Sequence, residues 1–242
     1  MGKEIERARA FAAELAGVYG DELVSAALYG SAARGEYREG VSDLNLLVLL
    51  KDASPAALRR GARLARGWVA ERNPPPLVLS EEEWRSSADV WPIEMSDIRD
   101  AHLVLHGSDP FAEVEIDPAD LRRQCESELK GKHVRLRERY LMSAEEPAEL
   151  EALLLHSFPT FLVLFRTVLR LDGGEAPRDA EGVVRLAAER AGFDPGPLLE
   201  VHRARHGGAK LEARSDAPVV VGYLDAVERV VRYVDRYVDG TA

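Results

Sequence analysis

The sequence predicts an α/β unit followed by an all-helical unit. Helical and extended patterns alternate through roughly the first 115 residues, as an α/β unit requires. From Pro118 onward the pattern changes to long helices, with glycine pairs at 173–174 and 207–208 marking two of the connections between them. We therefore expect two domains, residues 1–115 and residues 116–242.

The N-terminal unit is predicted from its spacing of apolar residues. Continuous apolar runs indicate buried strands, recurrence at three and four residues indicates helices, and the triple proline 74–76 ends a helix. Ser80, followed by three glutamates, is typical of a helix N-cap. Alternation of Ile93 and Met95 with Glu94 predicts one more strand. In chain order we expect helix 3–18, strand Leu23–Leu28, short helix Ser31–Arg34, strand Leu44–Leu50, helix Pro55–Glu71, and strands Leu77–Leu79, Val90–Met95 and His102–Leu105.

The C-terminal unit is predicted to be a helical bundle. Its expected helices are 119–141, 149–171, 179–191, 196–205 and 217–238. The second of these is apolar nearly all round, which is typical of the central helix of a bundle, and the last carries one broad apolar stripe. Acidic residues interleave with the many basic residues of the first, a pattern typical of a solvated helix face.

Composition and charge limit the kind of protein this is. A 46% hydrophobic and 31% charged composition is that of an ordinary globular protein, and the single cysteine, Cys125, excludes an intramolecular disulfide. The N-terminal segment lacks the apolar core of a signal peptide, and the longest apolar stretch, Leu153–Phe165, is too short to span a bilayer. We therefore expect a cytoplasmic protein without a membrane partner. The net charge of −10 argues against nucleic-acid binding and favours a cationic small molecule.

A small-residue turn lies between the first predicted strand and the short helix. Gly30 and Ser31 form this turn. Glycine lets backbone N–H groups approach a phosphate closely, and the helix N-terminus that follows favours an anion. The turn is therefore a candidate site for a phosphate-bearing ligand, and Arg34 is a further candidate donor to phosphate oxygens.

Two polar residues open the second apolar strand, twelve residues after the turn. They are Asp43 and Asn45. Side chains at i and i+2 of a strand point to the same face, so both can face one metal ion. Magnesium takes hard oxygen ligands, normally one or two carboxylates together with substrate phosphates and water. This pair offers one carboxylate and one neutral amide.

The stretch YGSAARGEYREGVSDLNLLVL resembles the active-site signature of the DNA polymerase beta-like nucleotidyltransferase superfamily. The resemblance implies an α+β domain with a small mixed sheet. It also implies that Gly30, Ser31 and Arg34 bind the triphosphate of ATP. Asp43 and Asn45 would hold Mg²⁺, with Asn45 where the superfamily has a second carboxylate. One charge fewer weakens metal binding.

A third carboxylate in that superfamily comes from a later strand and serves as a metal ligand and as the base. The segment VWPIEMSDIRDAHLVLHG resembles the corresponding strand of the aminoglycoside adenylyltransferases for streptomycin and spectinomycin. Glu94 is the first candidate for this role, because it lies among apolar residues where an unpaired carboxylate is costly. Asp97 is the second candidate. The helical tail also resembles those enzymes.

The resemblance implies an enzyme that transfers AMP from ATP to a hydroxyl of a small acceptor, with Mg²⁺ as cofactor. The helical domain would supply the acceptor pocket, and related two-domain enzymes also suggest a homodimer. A second interpretation is a degenerate nucleotidyltransferase that binds a nucleotide or a protein partner without turnover, as antitoxins of this fold do. A third, nucleotide addition to RNA 3′ ends, calls for a basic surface, which the charge of −10 opposes.

Overall fold

Two compact units make up the chain in the computed structural model, Met1–Asp117 and Pro118–Ala242. The structure describes residues 2–40, 42–174, 176–207 and 210–238. Each unit has a core of its own.

The N-terminal unit contains four strands and five α-helices within the described residues. Its elements are α1 (Lys3–Tyr19), β1 (Leu23–Tyr29), α2 (Ser31–Arg34), β2 (Asn45–Leu50), α3 (Pro55–Ala70), β3 (Leu77–Ser80), α4 (Glu81–Ser86), α5 (Pro92–Asp100) and β4 (His102–Gly107). Helix α4 begins at the predicted cap: Glu83 N donates to Ser80 Oγ at 3.1 Å, and Ser80 N donates to Glu83 Oε2 at 2.7 Å. This reciprocal pair satisfies backbone donors that the first turn of a helix leaves open.

The four strands form one mixed sheet in the order β3-β2-β1-β4. Strand β1 lies antiparallel to both β2 and β4, while β2 and β3 are parallel. The long connection through α3 allows the parallel pairing, because parallel neighbours need a crossover. The predicted small mixed sheet is confirmed.

The side chains of β2 alternate between the two faces of the sheet. Leu46 and Val48 pack in a cluster with α1 and α3, whereas Leu47 and Leu49 pack in a second cluster with α4 and α5. Asn45 shares the strand face of Leu47 and Leu49, because alternate residues of a strand point the same way. The sheet therefore presents Asn45 on the face that α4 and α5 cover.

The predicted strand Val90–Met95 is wrong. Residues 87–91 form a turn and bend, and the segment continues as α5, with Pro92 at its first helical position. Proline suits this position, because its missing N–H has no partner there in any case and its φ is already helical. The apparent alternation was too short to distinguish a strand from a helix: Ile93, Met95 and Ile98 all lie on the buried side of α5.

The C-terminal unit is helical throughout its regular elements. These are α6 (Pro118–Ser143), α7 (Pro147–Leu171), α8 (Ala180–Ala191), α9 (Gly196–Arg205) and α10 (Pro218–Val238). Helix α7 is long and apolar enough to qualify as a membrane span by length and composition, but 56% of its most apolar window is buried inside the protein. It contacts α6, α8, α9 and α10, and α10 likewise contacts all four other helices of the unit, so the two helices share the centre of the bundle.

Cys125 is buried within α6. Burial raises the pKa of its thiol to about 12, because a thiolate there would lose its hydration. The one cysteine of the chain is therefore a core residue, not a nucleophile.

Candidate functional site

The turn after β1 has a backbone that requires glycine. Gly30 has φ 81° and ψ −148°, its N–H donates to Ala101 O at 3.2 Å, and its carbonyl accepts from Arg34 N at 3.0 Å. A Cβ at position 30 would come within 3.2 Å of Asn45 Nδ2. The structure therefore brings the turn and the start of β2 into direct proximity, as the sequence-based site requires.

Asp43 and Asn45 flank a fully buried leucine. Leu44 is 0% exposed, whereas Asp43 is exposed and Asn45 is half-buried. Because successive side chains of an extended chain alternate, the buried leucine turns both polar side chains away from the α1–α3 core. Asp43 makes no ion pair or hydrogen bond with the part of the chain that the structure describes. Its carboxylate is accessible to a ligand.

A row of three residues crosses the sheet beside this pair. Asn45 pairs with Tyr29, and Tyr29 pairs with His102 on β4. His102 Nδ1 bonds to Arg99 O at 3.0 Å, and His102 Nε2 lies 3.3 Å from Asp109 Oδ1. Burial raises the pKa of Tyr29, so its phenol is neutral. Tyr29 and His102 were not predicted as site residues, because only the strand pairing places them in line with Asn45.

Arg34 is held by α5. Its Nη2 lies 2.8 Å from Asp97 Oδ1 and also donates to Asp97 O at 3.1 Å. The side chain of Arg34 is 8% exposed and that of Asp97 18%. The guanidinium predicted to bind phosphate therefore joins α2 to α5 in this structure, and Asp97, the second candidate for the third carboxylate, is its partner.

The predicted setting of Glu94 is wrong, since no strand carries it. Glu94 lies exposed in the first turn of α5. The strand beside β2 is β3, Leu77–Ser80, which contains no carboxylate and follows the triple proline 74–76. None of the four described strands contains a carboxylate, so the sheet itself supplies no third one.

The donor set suits a metal that arrives with a nucleotide. Among the described residues no group of three or more His, Cys, Asp or Glu side chains could hold a metal ion. Asp43 and Asn45 supply one carboxylate and one amide. Mg²⁺ is commonly bound through one or two carboxylates together with substrate phosphates, so this pair fits such an ion but not a pair of ions held by protein carboxylates.

Known proteins share both the sequence pattern and the fold. Residues 6–154 match the model of the Nucleotidyltransferase domain family. The crystal structure of spectinomycin adenyltransferase AAD(9) from Enterococcus faecialis, with ATP and spectinomycin, superposes with a TM-score of 0.58 at 13% identity. The match covers 93% of this chain and 98% of that one. No curated protein matches the chain significantly in sequence.

The structural match extends over both units of the chain, so the architecture of a nucleotidyltransferase domain followed by a helical region is shared with AAD(9). The family match covers well over half of the chain and includes both the Gly30-Ser31 turn and the Asp43–Asn45 pair. The chain belongs to the nucleotidyltransferase domain family.

Proposed function

We propose that this protein transfers AMP from ATP to a hydroxyl group of a small-molecule acceptor. The observation that supports this proposal is the proximity of position 30 to Asn45, since the Gly30-Ser31 turn, which we propose binds phosphate, then lies beside the polar pair at the start of β2. A family member needs these two features together, because the α-phosphate that reacts must lie between the triphosphate cradle and the charge that stabilises it.

Each residue has a distinct part in the proposed reaction. The backbone of Gly30 and the hydroxyl of Ser31 hold the triphosphate, and Asp43 and Asn45 are the residues that would hold Mg²⁺. When bound, this ion supplies positive charge to the phosphate oxygens. The acceptor oxygen bonds to the α-phosphorus, the bond from that phosphorus to the β-phosphate oxygen breaks, and pyrophosphate leaves. The proton of the acceptor hydroxyl passes to a carboxylate base.

Glu94 is the proposed base. Its exposed position in the first turn of α5 leaves it accessible to an acceptor. Asp97 is less suitable, because its carboxylate already accepts from Arg34 at 2.8 Å. Arg34 remains a proposed triphosphate ligand through those of its five N–H donors that Asp97 does not use.

The acceptor is proposed to be a small hydroxyl compound, as spectinomycin is in the AAD(9) structure. The net charge of −10 favours a cationic one. We place the reaction in the cytoplasm, with a homodimer as the working assembly.

A second candidate function is nucleotide binding without turnover. Two observations favour it: position 45 carries an amide in place of a carboxylate, and β3 has no carboxylate at all. With only one anion at the sheet, Mg²⁺ would be held more weakly, and the negative charge that develops on the α-phosphate would be less stabilised. Such a protein would sense a nucleotide or present it to a protein partner.

Turnover distinguishes the two functions. ATP labelled on its α-phosphate, Mg²⁺ and a panel of hydroxyl acceptors that includes spectinomycin would be incubated with the chain and with Asp43→Ala. Release of pyrophosphate with label transfer to one acceptor, absent in the variant, is the expected result. Binding of ATP without label transfer to any acceptor would favour the second function.

A further inference from the structure

Some basic side chains of helix α6 form ion pairs with carboxylates, and others do not. Lys130 lies 2.7 Å from Glu126, and Arg137 lies 2.9 Å from Glu228 on α10. Arg135 and Arg139 have no carboxylate within 4.0 Å among the residues that the structure describes. These two arginines are one helical turn apart, so they lie on one face of α6. The solvated face predicted from the sequence therefore contains a local excess of positive charge.

Arg135 and Arg139 both line a cavity between α6 and α7. Its volume is about 220 Å³. The polar side chains around it are Lys132, Arg135 and Arg139 from α6 and His156, Ser157 and Thr160 from α7. Leucine and phenylalanine side chains complete the lining.

The α7 side of the cavity is held in a fixed arrangement. His156 bonds through Nδ1 to Ala152 O at 2.7 Å, which commits one ring nitrogen to the helix backbone. Ser157 Oγ lies 2.9 Å from the hydroxyl of buried Tyr223, whose pKa is raised by burial. Thr160 is exposed and adds a hydroxyl. The site thus combines two exposed guanidinium groups with a more rigid polar wall.

The carboxylates near the cavity do not cancel its charge. Glu128 lies 3.5 Å from Lys132 and neutralises that side chain in part. An adjoining hollow of about 210 Å³, which shares Arg139 and His156, contains Glu149. Glu149 accepts a hydrogen bond from Ser143 at 3.1 Å. Arg135 and Arg139 remain, in a chain whose net charge is −10.

We propose that this cavity binds a small phosphate-bearing molecule. Two guanidinium groups one turn apart match a phosphate, because arginine presents paired N–H donors to its oxygens. The volume of about 220 Å³ accommodates one or two phosphate groups. The site lies within the helical unit and depends neither on Asp43 nor on nucleotidyl transfer, so it goes beyond the proposed function.

Pyrophosphate is the probe that tests this site. Its binding to the full-length chain would be measured by calorimetry without Mg²⁺, for the parent and for Arg135→Gln combined with Arg139→Gln. Both arginines are exposed, so the double variant is expected to fold normally. We expect at least about tenfold weaker binding in the double variant, since two charge-assisted contacts are lost.

Two control variants distinguish binding in this cavity from binding elsewhere on the chain. Arg137→Gln lies on the same helix outside the cavity and is expected to leave pyrophosphate binding unchanged, as is Asp21→Ala, an exposed position in the other unit. Absence of binding to the parent chain would overturn the proposal. If Arg137→Gln weakened pyrophosphate binding as much as the double variant does, the binding would depend on net charge alone. If Gly30→Ala abolished binding and the double variant kept it, pyrophosphate would bind at the nucleotide site. Either result overturns the proposal.

Discussion

At the scale of single residues, the proposed site depends on how Gly30 and Asn45 meet. The sequence predicts both residues, because a Gly-Ser turn and an i, i+2 polar pair are local patterns. Their proximity is not local: it follows from the antiparallel pairing of Tyr29 with Asn45, which no local pattern specifies. The same pairing introduces His102 beside the site. Residue types were thus predictable, while their neighbours were not.

Replacement of Gly30 by alanine tests the turn. Its positive φ is strained for an L-residue, and the new methyl group would approach Asn45 Nδ2 at 3.2 Å. We expect the free energy of unfolding to fall by about 1 kcal/mol and ATP-analogue binding to weaken. Urea denaturation and calorimetry measure the two effects. Gly17→Ala is the matched control, since position 17 lies in α1 with nothing within 4 Å; it should keep binding intact.

Replacement of Asn45 by aspartate tests the metal position. A second carboxylate adds charge where Mg²⁺ would be held, so its affinity should rise several-fold in the presence of ATP analogue. Titration of Mg²⁺ at a fixed analogue concentration gives the change. Unchanged affinity would mean that position 45 does not face the metal.

At the scale of elements, prediction succeeded where patterns were long. The helices of the C-terminal unit extend over several turns, and each was predicted to within a few residues at either end. Helix α5 was missed, because its nine residues follow a turn and its first apolar positions mimic the alternation of a strand. Pro92 was the available signal, since proline favours the first turn of a helix over a central strand.

The Arg34–Asp97 pair tests whether α2 and α5 act together. Removing either partner breaks an ion pair between two largely buried side chains, so Arg34→Ala and Asp97→Ala should each lower the free energy of unfolding by about 1–3 kcal/mol. The double variant should lose less than the sum of the two. Denaturant titration of all four proteins gives the coupling, and strict additivity would show that the pair does not join the helices.

At the scale of the whole molecule, the order of the elements other than α5 was predictable, but the order of the strands within the sheet was not. Strand positions follow from apolar runs, whereas the order β3-β2-β1-β4 depends on contacts between residues far apart in sequence. The packing of the helical unit also depends on contacts between residues far apart in sequence. Its helices were visible in the sequence, but the cavity between α6 and α7 appears only when the two helices pack.

Stability of the molecule should depend on pH through His133. This residue of α6 is 8% exposed, and burial lowers its pKa, with Arg137 and Arg232 acting in the same direction against Glu228. The unfolded chain then binds a proton more readily than the folded one, so stability is present above about pH 6.5 and falls as pH drops below it. Urea denaturation between pH 7.5 and 5 should show this loss, with a smaller slope in His133→Gln. An identical slope would assign the loss to other groups.

Binding of a non-hydrolysable ATP analogue, by calorimetry with and without Mg²⁺, tests the nucleotide site most directly. The parent chain is compared with Asp43→Ala and with Asp21→Ala, an exposed aspartate that precedes β1 at the opposite end of that strand from Gly30. We predict Mg²⁺-dependent binding that is lost in Asp43→Ala and kept in Asp21→Ala. Absence of binding to the parent chain, or equal Mg²⁺-dependent binding to Asp43→Ala, would contradict a nucleotide site at the start of β2.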